Sequence, residues 1–293
     1  MPSGLSTTRL SIVVSAILRK RLLGKPSSIP PDFQISQSQR TPLSVQVALK
    51  ANNLNDPSLQ PPWAQRTFEL IHMDIKSFPT NLYHKYKYLI IFLDDFISMA
   101  LTIPLCTKSA ALTATHQFLQ IIKMLFQASV QSWILDFSGE YKSAAYNDLL
   151  KGKGIRIYNS APHVAQQNGC TERFMRTLMD KAEAMHHLAC LPDSWWEFAT
   201  THATHIYNRT PLSRLKWHTP YEVLHSKQPQ IDHLHVFGCT AYVFLPTDIW
   251  ANKLAPKSEL MVYLGVAPGN DANFLFVCSP HNVLFTAAVV FLS

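Results

Sequence analysis

IYNSAPHVAQQNGCTERFMRTL, residues 157–178, is the stretch whose reading decides the rest of this chain. Its first residues are strand-formers, Pro162 and Asn168-Gly169 mark a loop, and Glu172 falls on the first turns of a helix. Upstream, Asp136 closes the apolar, strand-like run SWILD, and thirty-five residues separate it from Glu172. Asp74 lies in FELIHMDI, at the end of another strand-like run. Two strand-borne aspartates and one helix-borne glutamate form an all-oxygen donor set. Hard cations such as Mg²⁺ prefer such ligands. Two such ions about 3.5–4 Å apart activate an attacking oxygen and stabilise a leaving one in phosphoryl transfer.

Three separate motifs then agree in order and distance. SAPHVAQQNGCTERFMRTL (160–178) resembles the integrase signature of copia-type LTR retrotransposons, S-x-P-x-x-P-Q-Q-N-G-x-x-E-R-x-N-R-T-L. LDFSGEY (135–141) resembles that family's S-D-N-G-G-E-F, and ELIHMDI (69–75) its L-x-H-x-D-x. The resemblance runs from Phe68 to about Phe291. It implies a DNA strand transferase in which Asp74, Asp136 and Glu172 are both catalytic residues and ligands of two Mg²⁺ (or Mn²⁺) ions. It further implies DNA as partner (element ends and target), a homo-oligomer, and work in the nucleus. The sequence departs from the pattern at Leu135, Phe137, Ser138, Ala165 and Met175; none of these removes a ligand, but they alter the surroundings of the metal site that the resemblance implies.

Composition frames this reading. The chain has 293 residues, 47% of them apolar, enough for one large or two modest domains with a sizeable core. The formal charge is +7. Residues 1–62 hold seven Lys/Arg against two Asp/Glu, whereas residues 63–293 hold nineteen against seventeen. The excess therefore sits in the N-terminal arm, which Ser, Pro, Gln and Thr mark as flexible. Such an arm suits nucleic acid or a merely solvated tail. Residues 1–71 contain neither Cys nor His, so the His/Cys zinc module that usually precedes this core is missing from them. The five cysteines form no C-x-x-C pair, which points to a reduced, intracellular chain. Leu10–Leu18 is too short to span a bilayer, and Arg19-Lys20-Arg21 follows it in the wrong order for a secretory signal.

Hydrophobic periodicity places strands at 68–75, 87–94, 97–105, 130–135 and 155–158, with helices at 110–126 and 141–150. With the Glu172 helix the order is β-β-β-α-β-α-β-α, the ribonuclease H-like arrangement: a mixed five-stranded sheet flanked by helices. It sets the first and fourth strands side by side, bringing Asp74 and Asp136 together with Glu172 above them. A further helix opens at Pro192, with Trp195, Phe198, Ala199 and His202 on its apolar face. Four or more short strands from about residue 229 resemble the family's SH3-like segment, a small β-barrel. The expected domains are an arm over 1–62, a core over 63–228 and a β-rich segment over 229–293.

Candidate DNA contacts are the amides Gln166, Gln167 and Asn168 in the loop and the cations Arg173, Arg176 and Lys181 on the helix. Helix capping by Asn168 and a plain salt-bridge face are the alternatives. Asp94 and Asp95, in an F-x-D-D-F-like run, read as structural. His202 with His205, and His186-His187 with Cys190, have metal-like spacing but no convincing third ligand. Two rivals remain. A nuclease of the same fold usually carries four acids and lacks the Q-N-G-x-x-E-R entry. A weakened or domesticated copy would keep the fold as a nucleic-acid- or protein-binding module.

Overall fold

The apolar run at residues 87–94 forms β2, Tyr88–Asp94, buried over six of its seven residues. Strand alternation sends its side chains to two different cores. Ile90 and Phe92 join Phe118, Ile122, Trp133 and Tyr146, whereas Leu89, Ile91 and Leu93 join Phe174, Leu178, Phe198 and Ala203. The sheet is therefore covered on both faces, which is why β2 lacks polar alternation. The computed structural model behind this description covers residues 63–78, 85–135, 144–159, 165–245, 252–254, 256–266, 274–279, 282–286 and 289–291. The arm expected over 1–62 lies outside the described residues.

β1 (Leu70–Ser77) pairs antiparallel with β2, and β3 (Ala100–Leu105) pairs antiparallel with the other side of β2. β4 (Ser132–Leu135) runs parallel to β1, and β5 (Arg156–Asn159) parallel to β4, giving the order β3-β2-β1-β4-β5. Helices α1 (Ala110–Phe126) and α2 (Ala144–Gly152) cover one face. Helices α3 (Ala165–Leu188) and α4 (Trp196–Tyr207) cover the other. The first core is built around Phe92 and Phe118, stacked at 4.3 Å, with Trp133 set edge-on to both. A short helix α5, Pro220–His225, follows; Thr219 caps it by accepting the Glu222 N–H at 3.0 Å. This is the expected order of elements and the expected mixed sheet.

Several boundaries differ, each for a local reason. β3 starts at Ala100 because Ser98 is left-handed (φ 57°) in a turn closed by Ser98 N–H to Asp94 O at 3.0 Å. Pro192 is followed first by a 3₁₀ turn, Asp193–Trp195, before α4 begins. The expected loop at 161–169 ends early: α3 already runs from Ala165. Asn168 is therefore inside the helix and is not its N-cap. The Asn-Gly pair reads as a turn, yet the buried stripe Thr171, Phe174, Met175, Leu178 and Ala182 holds the helix on the sheet. Packing of that stripe offsets the roughly 1 kcal/mol cost of a helical glycine.

The C-terminal strands β6 (Thr240–Phe244), β7 (Ser258–Val266), β8 (Phe274–Ser279), β9 (Asn282–Thr286) and β10 (Val289–Phe291) form one antiparallel sheet, ordered β10-β6-β7-β8-β9. Among the described residues this region is one antiparallel sheet with edge strands β9 and β10; the SH3-like barrel that the resemblance implies is not shown by it. It packs on the first sheet's helical layer through β7 and α4. Gly238 and Gly265, both with positive φ, are the closest approaches. A Cβ on Gly238 would lie 2.3 Å from the Ala189 Cβ, and one on Gly265 2.8 Å from His202 Nδ1.

Candidate active site

Sheet register sets Asp74 one residue beyond a pair whose other member precedes Asp136 in the chain. Met73 of β1 lies opposite Leu135 of β4. Asp74 follows Met73 in the chain and Asp136 follows Leu135, although Asp136 itself lies outside the described residues. Asp74 also pairs with Ile91 on β2. Ile71 and Met73 enter the α1/α2 core, so alternation turns Asp74 to the other side. That is the side covered by α3, since Ile91 packs with Phe174 and Met175. Asp74 is half-buried, and its Oδ1 accepts the Ile75 N–H at 2.7 Å.

Helix α3 packs across β1. Its buried stripe faces the sheet, which leaves Glu172, Arg173 and Arg176 exposed together. Glu172 and Arg176, four residues apart, share one face. Lys181 is half-buried, and burial lowers its ammonium pKa. Gln166, Gln167 and Asn168 form part of the opening turns of α3 rather than a loop. The structure thus puts Asp74 and the helix bearing Glu172 on one side of the sheet. Among the described residues no three His, Cys, Asp or Glu side chains are grouped to hold a metal.

A buried polar cluster lies beside this site, and the sequence reading missed its key member. His72 sits two residues before Asp74, hence on the same strand face. Its Nε2 is 3.2 Å from Asp95 Oδ1, and both side chains are buried. Burial opposes ionisation of Asp95, but the hydrogen bond and charge of His72, the Ala64 N–H and Arg214 outweigh it. The carboxyl is held below its usual range. Asp94 behaves oppositely: burial pushes it up to about 7, although the N–H groups of Ile97 and Phe68 donate to it at 2.7 and 2.6 Å. These contacts tie the chain entering β1 to the turn leaving β2. The signal in the sequence was the H-x-D spacing of LIHMD, read only for its aspartate.

The remaining histidine pairs serve packing. Arg209 donates to His205 Nδ1 at 3.1 Å, so that nitrogen accepts rather than ligates. His202 is wedged against Phe237, Tyr263 and Gly265. His186 Nε2 lies 3.0 Å from the Pro192 carbonyl, and its ring stacks on Trp196. Cys190 donates weakly to the His187 carbonyl. No helix among the described residues is long and apolar enough to cross a membrane.

The sheet order β3-β2-β1-β4-β5, with Asp74 turned toward the side that α3 covers, is the ribonuclease H-like arrangement. Comparison agrees, since residues 64–165 match the family model described as Integrase core domain. The chain belongs to that family, with the copia-type retrotransposon integrases that its motifs resemble. It is 30% identical over 201 residues to the Retrovirus-related Pol polyprotein from transposon RE1 of Arabidopsis thaliana, covering 68% of this chain and 13% of that protein. It is 30% identical over 193 residues to the corresponding polyprotein from transposon TNT 1-94 of Nicotiana tabacum, covering 66% and 14%. The chain thus spans about a seventh of the polyproteins it matches. Among solved structures, the BIV integrase catalytic core aligns with 54% of this chain and 93% of its own, at 22% identity and a TM-score of 0.40, a likeness too loose to argue from.

Proposed function

We propose that this chain is the catalytic segment of a polynucleotidyl transferase that joins DNA 3′ ends to target DNA. The observation that carries the reading is the β1–β4 register, Met73 opposite Leu135, with Asp74 and Asp136 the next residues along the two chains and α3 packed across β1. Asp74, Asp136 and Glu172 offer only carboxylate oxygens, a donor set suited to Mg²⁺ or Mn²⁺. Two such ions, when bound, would lower the pKa of the attacking hydroxyl and take charge on the leaving 3′ oxygen. The chain's own residues would do the positioning. Asp74 is held on a strand locked from both sides, and Glu172 projects from a helix fixed by Phe174 and Leu178. Arg173, Arg176 and Lys181 would meet phosphates, and Gln166, Gln167 and Asn168 would flank the strand at the start of α3. The acting form is a homo-oligomer working on nuclear DNA, built from a core over 63–228 and a β-rich segment over 229–293.

Strand transfer on labelled DNA ends with Mn²⁺ tests this. Asp136→Asn and Glu172→Gln, which keep size and lose charge, should each abolish joining while leaving the far-ultraviolet spectrum unchanged. Joining by either variant at the parental rate would sink the assignment. Cleavage without joining would favour a nuclease. A second reading rests on Phe137 and Ser138, which replace the family's Asn-Gly beside Asp136. It holds that this copy binds nucleic acid with weakened chemistry, and restoring Asn-Gly should then raise the joining rate.

A further inference from the structure

Residues 212–218 form a rigid loop that carries an outward indole. Lys216 (φ 54°) and Trp217 (φ 66°) are consecutive left-handed positions, the one such pair of non-glycine residues among those described. Side chains disfavour this conformation, and strain of this kind persists only where surrounding bonds enforce it. Here they do. Trp217 N–H donates to the Leu212 carbonyl at 3.0 Å, and Leu212 N–H to the His218 carbonyl at 3.1 Å. Leu215, fully buried beneath, anchors the loop in a cluster with Ala64, Leu70 and Phe96. Arg214 donates to the carbonyls of Asp95 and Phe96. The outcome is Trp217 73% exposed at the tip, between exposed Lys216 and His218. Trp63, 61% exposed, emerges at the same pole, because its neighbour Ala64 donates to Asp95.

We propose that this loop is a second nucleic-acid contact, on which an unpaired base of a single DNA strand stacks against Trp217 while phosphates lie against Lys216 and Arg214. The chemistry favours a polyanion with flat rings over an apolar protein surface. Residues 212–219 contain no acid, and Trp217 is the only large exposed apolar side chain among them. An exposed indole face is sequence-tolerant toward bases, and neighbouring cations hold the backbone. Stacking needs an open base face, so the occupant is a single strand or a frayed end, not an intact duplex. The loop meets the sheet at the start of β1, through Asp95, whose N–H donates to the Leu70 carbonyl. Asp74 lies four residues further along, about 13 Å at strand rise. The contact therefore lies away from the carboxylates, and it rests on the proposed DNA function only for the identity of the polyanion.

The test is fluorescence anisotropy of a labelled oligothymidine strand with the full chain in EDTA, where no strand transfer occurs. Trp217→Ala should weaken binding about tenfold, and Trp217→Phe should retain most of it. Lys216→Ala should weaken it less and flatten the salt dependence by just under one phosphate's worth. Parental affinity for Trp217→Ala would overturn the proposal. So would a Trp217→Ala variant that changes sedimentation mass but not strand affinity, which would make the loop a contact between copies. Trp217-dependent binding in a protein that never joins DNA would refute the transferase reading and leave this one standing.

Discussion

Asp94 shows how a single carboxyl can be both essential and costly. Its two oxygens accept the N–H groups of Phe68 and Ile97, yet burial lifts its pKa to about 7. Between the ordinary value of 3.8 and about 7 the folded state binds more protons than the unfolded chain. Stability from this group is therefore greatest at low pH and declines as pH rises toward 7. Asp94→Asn removes that slope and leaves one buried donor facing an amide NH₂, a loss of about 1–3 kcal/mol. Urea denaturation should show the variant clearly less stable than the parent at pH 5.5, with the gap narrowing by pH 8. A gap that widens with pH would contradict the raised pKa. His72→Ala belongs to the same cluster. It strands the Asp95 carboxylate without its side-chain hydrogen-bond partner, a loss of about 1–3 kcal/mol or more that urea denaturation would register.

At the scale of elements, the junction of α4 with β7 is a sharply constrained contact. Gly265 has φ 112°, and a Cβ there would lie 2.8 Å from His202 Nδ1 and 3.1 Å from its Cβ. Gly265→Ala combines backbone strain with overpacking, a destabilisation of about 2–4 kcal/mol that a thermal melt would register. His202 itself is buried, and burial, aided by the charge of His233, lowers its pKa to about 4. The folded state then binds fewer protons than the unfolded chain between about 4 and 6.5, so stability at this junction falls as pH drops through that window. The same elements show what a sequence can tell. β2 and α1 were legible because long apolar runs and helical spacing dominate them, and the α1 bounds coincide with the expected ones. The start of α3 was not, because local turn chemistry at Asn168-Gly169 opposes the long-range packing that decides it. Asp74 and the helix bearing Glu172 were readable from motif spacing. The partner of His72, twenty-three residues away, was not, since nothing in a linear pattern marks a buried hydrogen bond between distant segments.

Across the whole molecule, the proposed site exists only when three distant segments fold together. β1 supplies Asp74, the chain after β4 supplies Asp136, and α3 supplies Glu172. An unfolded chain holds these carboxylates far apart and would bind divalent ions weakly. A ligand that binds only the native state stabilises it by RT ln(1 + [L]/Kd), about 2.7 kcal/mol at a hundredfold excess over Kd. Mn²⁺ should therefore raise the melting temperature of the parent in a saturable way, whether or not DNA is present. Glu172→Gln and Asp74→Asn should each blunt that rise, because the proposed site draws on both carboxylates. NaCl at matched ionic strength serves as a control for simple screening of surface charge. If Mn²⁺ shifted the parent and both variants equally, the stabilisation would come from somewhere other than these acids. The convergence that the sheet register implies would then have no metal to explain it.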